Sequence, residues 1–338
     1  MTGTKVERYL CSTQTILSNT TSTTSMNLQQ FQYVLAVADT RHFETAAAKC
    51  FVTQSTLSTM VSRFEDEIGV RIFDRKRKPV EVTGEGQVII DQLRIISGEV
   101  DQLGEVVNEL KGEVKGKLSI SVIPTIAPFL LPLFLQDFAS RFPDLSISVN
   151  EQTTAEIVRQ INRRELDIGI LSIPLPDNDL VEYKLYDEPF VFYDAEHVNQ
   201  RSINVGKVDM TNLCLLEDGH CMRTQVLKLC DKYGKDVASK LNFEYKAGSI
   251  DSLLRFVKAN NATTLLPYLS VTDFSDEDNR HVREFTAPVP YRSIGLVTHR
   301  HFAKKKAVKE LQSSIIKAIK DIIPAITIKG EKLLPLGD

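Results

Sequence analysis

A regularly spaced apolar stripe sets the strongest limit on how this chain can fold. Successive members of the stripe are separated by 4, 3, 4, 3, 4 and 3 residues: Ile89, Leu93, Ile96, Val100, Leu103, Val107 and Leu110. A 4–3 repeat without drift predicts a long helix that pairs with a second helix in a coiled coil. An amphipathic helix lying on its own domain shows a similar stripe. The regular alternation favours dimerisation with a second copy of this chain.

The residue patterns on the two sides of this helix differ, which predicts a multi-domain chain. Residues 26–84 combine helical spacing with tight connections, whereas residues 114–325 alternate strand-like and helix-like segments. We expect residues 85–113 to form the linker and dimerisation helix, with Thr83 as its N-cap, and residues 326–338 to form a tail. The chain is 42% hydrophobic and 25% charged, a globular composition that excludes a wholly disordered chain.

A polar leader precedes the first domain. Residues 1–25 end in a run of Ser, Thr and Asn and contain no apolar core of about 7–15 residues, which a secretory signal requires. We expect a disordered leader, with the folded chain beginning at Met26. No uncharged apolar run reaches the ~18 residues of a membrane span, so no membrane association is expected. These features predict a cytoplasmic protein with reduced thiols.

Residues 28–69 show the pattern of three short helices joined by tight turns. On the third of these, Leu57, Val61, Phe64 and Ile68 form one apolar stripe. Polar side chains remain outside that stripe: Gln54, Ser55, Ser58, Thr59, Ser62 and Arg63. A short helix with a polar outer face after a tight turn is typical of the recognition helix of a helix-turn-helix.

A basic hairpin is predicted directly after the three helices. The segments 70–73 and 80–83 alternate apolar and polar residues, as strands do, and five cations lie between Arg71 and Lys78. A cationic run taken alone is most often a solvated surface. In this order, however, three helices and a basic hairpin predict an all-α winged helix-turn-helix. Its polar helix would contact base edges and its wing would contact phosphates of double-stranded DNA.

The remainder of the chain alternates strands and helices. Strands are predicted at 118–123, 145–149 and 166–170, with helices between them. This pattern indicates a parallel sheet with a binding crevice at the strand ends, where Thr125 and Thr154 would lie. The length fits a two-lobed α/β domain resembling periplasmic binding proteins. Its lobe I would comprise about 117–188 and 293–325, and its lobe II about 189–292.

Two of the five cysteines are placed where thiol chemistry is plausible. Cys221 lies at the start of a predicted helix, beside His220 and Arg223 and after a possible Asp218 cap. A helix N-terminus and neighbouring cations lower a thiol pKa. Cys230 lies nine residues later, a rise of about 13.5 Å in one helix, whereas a disulfide needs Cα atoms within ~7 Å. A bridge would therefore require local rearrangement.

Packing is the alternative explanation for each cysteine. A buried free cysteine is usually an inert small hydrophobic residue, and Cys50 in the helical domain fits that description. Cys214 could compete with Cys230 as a thiol partner. The sequence contains no CxxC or HExxH spacing, so neither a metal site nor a cofactor is predicted.

Together these segments resemble the LysR-type transcriptional regulators. The matching residues lie within 43–73 and include Ala46-Ala47, Gln54-Ser55-Thr56-Leu57-Ser58 and Phe64-Glu65-Asp66-Glu67-Ile68-Gly69-Val70, followed by Thr83-Gly84-Glu85-Gly86. Within that family, the chain is similar to the hydrogen peroxide sensors. That likeness depends on Leu216-Glu217-Asp218-Gly219-His220-Cys221-Met222-Arg223, on the spacing to Cys230, on Ile123-Pro124-Thr125 and on Arg292-Ser293-Ile294-Gly295.

The resemblance implies roles for individual residues. Cys221 would be the peroxidatic thiol and Cys230 the resolving thiol. Peroxide would be bound by Thr125, Thr154, His220, Arg223 and Arg292. DNA would be contacted by Gln54, Ser55, Thr56, Ser58, Arg63, Arg75, Lys76 and Arg77. The resemblance also implies homodimers that form homotetramers, and recruitment of RNA polymerase.

The sequence therefore predicts a transcriptional regulator that senses hydrogen peroxide and controls oxidative-stress genes, and that is not an enzyme. Oxidation would join Cys221 to Cys230 and repack residues 219–231. Two alternatives stay open. One is a regulator of the same family that binds a non-covalent small effector in the crevice between the lobes. The other is a thiol peroxidase, for which the helix-turn-helix and pairing helix would have no purpose.

Overall fold

A computed structural model describes residues 26–208, 210, 212–234, 245–326 and 329–335. The predicted leader 1–25 and Cys11 lie outside these residues. The chain divides into two compact units, the first ending at Ser97 and the second beginning at Gly98. Each unit is described by itself.

The first unit is helical apart from a small hairpin. Its elements are α1 (Leu28–Thr40), α2 (Phe43–Lys49), α3 (Gln54–Ile68), β1 (Phe73–Asp74), β2 (Glu81–Val82) and the first part of α4 (Gly84–Leu110). Strands β1 and β2 pair antiparallel. The predicted winged helix-turn-helix is confirmed, although its strands are only two residues long.

Local side-chain chemistry fixes the ends of these helices. Asn27 and Gln30 form a reciprocal capping box at the start of α1, and the Thr53 hydroxyl accepts from the backbone N–H of Thr56 at the start of α3. Gly69 ends α3 with φ +71°, a left-handed conformation that favours glycine. The Thr83 hydroxyl accepts from the N–H of Gly86 at 2.8 Å, as its predicted capping role requires.

The core of the first unit includes part of the stripe assigned to dimerisation. Leu57, Val61 and Phe64 are buried as predicted, and Leu93 packs in the same cluster with only 4% of its surface exposed. Leu93 is therefore wrong as a pairing residue, because it already covers its own domain. Ile89 packs partly against that core. The 4–3 spacing is the same whether an apolar side chain packs on its own domain or pairs with a second helix, so the sequence cannot distinguish the two.

The second unit is built on a nine-stranded mixed sheet among its described residues. Its strands are β3 (Gly116–Val122), β4 (Leu145–Glu151), β5 (Ile168–Ile173), β6 (Leu180–Asp194), β7 (Ser202–Ile203), β8 (Thr263–Pro267), β9 (Val282–Phe285), β10 (Val289–His299) and β11 (Gly330–Lys332). Its helices are the rest of α4, α5 (Ala127–Arg141), α6 (Thr154–Asn162), α7 (Cys221–Lys232), α8 (Ile250–Ala259), α9 (Asp276–Asn279) and α10 (Lys305–Ile319).

The prediction of a parallel sheet is correct only for part of this unit. Strand β3 pairs parallel with β4 and β5, whereas β10 pairs antiparallel with both β5 and β6. Strands β6 and β10 were not predicted from the sequence. Their buried residues are nearly continuous, so the alternation of apolar and polar residues that indicates a strand is absent. They run through both lobes and connect them.

Two hydrophobic cores lie along these connecting strands. The lobe I core includes Leu118, Phe138, Ile170, Tyr186, Ile294 and Leu311. The lobe II core includes Phe190, Phe192, Val226, Leu253, Leu266 and Val289. Cys221 belongs to the lobe I core and Cys230 to the lobe II core, although both lie on helix α7. The two-lobed α/β architecture is confirmed.

Candidate functional site

Cys221 is the first residue of helix α7. His220 occupies the N-cap position without a side-chain cap, and Gly219 before it adopts φ +97°, which a β-carbon would strain. The predicted Asp218 cap is wrong. Its carboxylate instead accepts from Arg223 at 3.0 Å and from Lys246 at 2.9 Å, because these cations compete for it more strongly than a neutral backbone amide.

A buried arginine from strand β10 lies at the same site. Arg292 has no exposed surface, and its Nε donates to Glu188 Oε2 at 2.8 Å. Its other nitrogens donate to the hydroxyl of Thr125 at 2.9 Å and to the Thr125 carbonyl at 3.2 Å. Glu188 also accepts from the backbone N–H of Leu269 at 3.0 Å. A charged pair in a dry core persists only when its hydrogen-bonding groups are matched in this way.

Thr154 provides a hydroxyl with unused capacity. Its side chain is buried at the start of α6, and its hydroxyl has no nitrogen or oxygen partner among the described residues. The hydroxyl faces the Cys221 thiol instead and lowers that thiol's pKa through hydrogen bonding. Thr125 and Thr154 each follow a parallel strand, as the sequence analysis expected of crevice residues.

The net effect of this environment is to raise the pKa of Cys221. Burial has the largest effect and raises the thiol pKa above its ordinary value, while the Arg292 charge, the Thr154 hydroxyl and the amides of Met222 and Cys221 lower it. The expectation of a depressed pKa is therefore wrong. Sequence spacing identified the helix N-terminus but did not reveal that the thiol is buried, and desolvation favours the neutral form.

The two neighbouring cations do not act on Cys221 as predicted. Burial lowers the pKa of His220, against the opposing effect of Glu217, so its imidazole is held neutral rather than cationic. Arg223 donates to the Leu216 carbonyl at 2.9 Å and pairs with Asp218. It therefore ties down the loop before α7. The positive charge that acts on the thiol comes from Arg292, which is distant in sequence.

Cys230 lies apart from Cys221, in the lobe II core. Its side chain has no exposed surface, and its sulfur is 3.5 Å from the sulfur of Met210. Burial, with the charge of Asp231, raises the pKa of Cys230 to about 11. Cys214, Cys221 and Cys230 are all free thiols in the structure. Helix α7 is continuous between Cys221 and Cys230, so the two cannot bond while it stays helical.

Sequence reasoning missed two residues that complete this region. Glu188 holds Arg292, and Gln225 in the middle of α7 donates to the Ser172 hydroxyl at 3.1 Å and to the Leu333 carbonyl at 2.9 Å. No local motif marks either residue, because their partners are 53 to 108 residues away in the chain.

The predicted DNA-contacting residues of the first unit lie at its surface. Those on α3 are Gln54, Ser55, Thr56 and Arg63, which are exposed, and Ser58, which is half-buried. Those on the hairpin, Arg75, Lys76 and Arg77, are exposed. Arg77 pairs with Glu81 at 2.8 Å and Arg63 with Glu67 at 3.1 Å. The Arg77–Glu81 pair is open to solvent, where such pairs contribute little to stability, whereas Glu67 is mostly buried.

A buried glutamate joins α3 to the wing. Glu65 accepts from the backbone N–H groups of Ile72 at 2.7 Å and Phe73 at 3.0 Å, and from Arg75 at 3.0 Å. Arg75 also donates to the Ser58 hydroxyl at 3.1 Å. Two residues predicted to contact DNA are therefore bonded to each other, and Glu65 fixes the position of the wing relative to the recognition helix.

The later members of the apolar stripe on α4 are exposed. Val100 is 43% exposed, Leu103 66%, Val107 44% and Leu110 82%, whereas Ile96 is half-buried. Exposed apolar residues at heptad spacing are typical of a surface that pairs with another helix.

Comparison with known proteins assigns the family. The profile described as "Bacterial regulatory helix-turn-helix protein, lysR family" matches residues 28–87, and that described as "LysR substrate binding domain" matches residues 111–318. The chain belongs to the LysR family of transcriptional regulators. The "DNA-binding transcriptional dual regulator OxyR" of Escherichia coli K12 is 33% identical over 275 residues, 80% of this chain and 89% of that protein.

Other relatives give the same picture. A "Hydrogen peroxide-inducible genes activator" of Haemophilus influenzae is 28% identical over 89% of this chain and its own full length. A full-length OxyR variant from Pseudomonas aeruginosa superimposes with a TM-score of 0.70 at 29% identity, covering 86% of this chain and 98% of that one. OxyR from Porphyromonas gingivalis gives a TM-score of 0.58 at 26% identity, covering 65% and 100%. The chain is thus an OxyR-like, DNA-binding transcriptional regulator.

Among the described residues, none of the helices could span a lipid bilayer. The same residues also contain no group of three or more His, Cys, Asp or Glu side chains that could bind a metal ion.

Proposed function

We propose that this LysR-family regulator senses hydrogen peroxide through a reversible disulfide between Cys221 and Cys230, and that it thereby controls oxidative-stress genes. One structural observation carries the proposal. The Cys221 thiol is buried beside a cationic guanidinium and a hydroxyl that has no nitrogen or oxygen partner, on the same helix as a second thiol that lies in the other core. The relative from Haemophilus influenzae is named a hydrogen peroxide-inducible genes activator, and we take hydrogen peroxide as the oxidant for this chain on that ground.

In the first step Cys221 attacks one oxygen of hydrogen peroxide. A new S–O bond forms and the O–O bond breaks, so that Cys221 becomes a sulfenic acid and one water leaves. The Arg292 guanidinium stabilises the thiolate and the developing hydroxide. Thr125 and Thr154 orient the peroxide, and His220 and Arg223 complete its site. Thr154 fits this role because its hydroxyl has an unused hydrogen-bonding capacity in the resting site.

In the second step the Cys230 thiol attacks the sulfenic sulfur. The disulfide forms and a second water leaves. Because the two residues are nine positions apart on one helix, residues 219–231 must unwind and repack. The structural change is therefore coupled to the chemistry, as a switch requires. A thiol reductant in the cytoplasm reverses it.

We propose that an oligomer transmits this structural change to DNA. A homodimer would form through α4, by way of Val100, Leu103, Val107 and Leu110, and would associate further into a homotetramer. Repacking of residues 219–231 would then alter how the recognition helices are presented to operator DNA and RNA polymerase. The exposed apolar stripe supports the dimer. A two-fold dimer would match a two-fold operator site. We propose no enzymatic turnover, in keeping with relatives that are named as regulators.

A transcriptional reporter tests the proposal. Cys221→Ser and Cys230→Ser are expected to abolish the response to peroxide, whereas Cys214→Ser, at a half-buried thiol of lobe II, serves as the matched control and keeps it. A peroxide response that survives Cys221→Ser would refute the disulfide mechanism. A response in that variant to a reversible ligand without oxidant would instead support a non-covalent effector.

A further inference from the structure

A segment beyond the part of the chain that matches the family profile contacts helix α7. Strand β11 (Gly330–Lys332) pairs parallel with β10, from Val289 to Tyr291. Two backbone bonds extend this pairing, from the N–H of Val289 to the Lys329 carbonyl at 3.0 Å and from the N–H of Leu333 to the Tyr291 carbonyl at 2.7 Å. The family match ends at residue 318. We call residues 329–335 the strap.

The strap is bonded to α7 at its middle and at its end. The amide nitrogen of Gln225 donates to the buried carbonyl of Leu333 at 2.9 Å. At the end of the helix, Glu331 accepts from the Tyr233 hydroxyl at 2.9 Å and pairs with Lys232 at 2.8 Å. The Leu333 side chain is 5% exposed and packs in the lobe II core that also contains Cys230.

We propose that the strap holds α7 in its helical form and so sets the peroxide dose at which the disulfide closes. Gln225 lies between Cys221 and Cys230, so it must leave the Leu333 carbonyl when that segment unwinds. The cost of losing these bonds opposes closure. By linkage, anything that loosens the strap shifts the helix toward its open form by the same factor. The proposal rests on the disulfide mechanism proposed above and adds no chemical step to it.

Two substitutions that weaken the strap and one matched control distinguish an effect of the strap on α7 from a general loss of stability. Glu331→Gln removes the charge that pairs with Lys232 and weakens the acceptor for Tyr233. Gly330→Ala places a β-carbon 2.8 Å from the Tyr291 ring, which pushes the strap away from β10. Lys332→Gln alters a charge on the same strand at an exposed position and is the matched control.

The first measurement uses no oxidant. In the full chain with Cys230 as its only cysteine, the rate of N-ethylmaleimide labelling reports how often α7 opens. We expect Glu331→Gln and Gly330→Ala to raise this rate by about threefold to tenfold, and Lys332→Gln to leave it within about twofold. Thermal unfolding of each variant shows whether the effect is local. Equal labelling rates in the parent protein and the three variants would overturn the proposal that the strap holds α7 helical.

The second measurement adds hydrogen peroxide to chains that retain Cys221 and Cys230. Glu331→Gln is expected to speed disulfide closure by the same factor as labelling. In the Cys230→Ser background, the same substitution should leave the rate of sulfenic acid formation unchanged. Unchanged closure would overturn the proposed dose control. Faster labelling with no disulfide in any variant would instead refute the sensing mechanism, which distinguishes the two failures.

Discussion

Each unit of this regulator contains a buried glutamate bonded to an arginine, and the two pairs serve different ends. In the first unit Glu65 is buried but Arg75 keeps 34% of its side chain exposed. In the second unit Glu188 and Arg292 are both almost fully buried. Glu65 also accepts from two backbone amides and thereby fixes the wing. Arg292, by contrast, places its charge beside a thiol.

The difference shows how burial decides what an ion pair does. An arginine with access to water can satisfy its remaining donors there, so the first pair acts as a structural link. An arginine without access to water must find every partner inside the protein, and its unscreened charge acts strongly on its neighbours. The second pair therefore opposes the effect of burial on the Cys221 pKa, and it also joins strands β6 and β10.

Arg292→Ala should give the largest loss. Removing one partner of a buried pair leaves the Glu188 charge uncompensated and costs about 3–5 kcal/mol of unfolding free energy in the regulatory unit. Oxidation of Cys221 should slow by at least about tenfold, since the charge that favours the thiolate is gone. Urea unfolding and stopped-flow oxidation measure the two effects. Arg292→Lys keeps the charge, and if it oxidises as slowly as Arg292→Ala, charge is not the cause.

Glu65→Ala should destabilise the first unit by about 2–4 kcal/mol, because several hydrogen bonds to a charged acceptor are lost together. Operator binding in a gel-shift assay should fall, while the rate of Cys221 oxidation stays unchanged. The control is Arg77→Ala, whose pairs are exposed, with an expected change within about 0.5 kcal/mol. A slower oxidation in Glu65→Ala would contradict the separation of roles between the two pairs.

The pH dependence of oxidation tests the raised pKa of Cys221. The thiolate is the nucleophile, so below its pKa the second-order rate should rise about tenfold per pH unit. The rate should rise with pH because the raised pKa keeps the Cys221 thiol neutral at pH 7. The same shift means that the neutral thiol contributes stability, which is lost as the pH rises above the pKa of the unfolded thiol. A rate that is flat between pH 6 and 8 would indicate a depressed pKa instead.

Thr154→Val should have the smallest effect on stability. The buried hydroxyl has the Cys221 thiol, a weak hydrogen-bonding group, as its partner, so its removal should change the unfolding free energy by less than about 1 kcal/mol. Oxidation should nevertheless slow by about threefold to tenfold, because the peroxide loses an orienting group. Thr153→Val on the same loop, which removes a helix cap, should destabilise the protein instead. Oxidation at the original rate in Thr154→Val would remove this hydroxyl from the mechanism.

The sequence predicted the features of this structure that depend on residues close together in the chain, but not those that depend on distant residues. The stripe of α3 and the Thr83 cap are properties of short segments, and both predictions were correct. Leu93 was misassigned because its own core and a partner helix both require an apolar residue at the same spacing. Strands β6 and β10 carry no alternation, so their antiparallel pairing was not visible.

The candidate site was least accessible to local reasoning. Spacing placed Cys221 at a helix N-terminus, yet the burial that raises its pKa comes from elements far along the chain. Glu188 and Arg292 are 104 residues apart, and only the resemblance to a known family drew attention to Arg292. The strap has no motif, because its contacts are mostly made by backbone carbonyls and a single glutamate.

The most direct test of the central proposal is the intact mass of the purified protein before and after one equivalent of hydrogen peroxide, with alkylation of free thiols and peptide mapping. We expect a rapid loss of two hydrogens, mapped to a bond between Cys221 and Cys230, with Cys50 and Cys214 still alkylated. An unchanged mass, with Cys221 and Cys230 both still open to alkylation after unfolding, would contradict it.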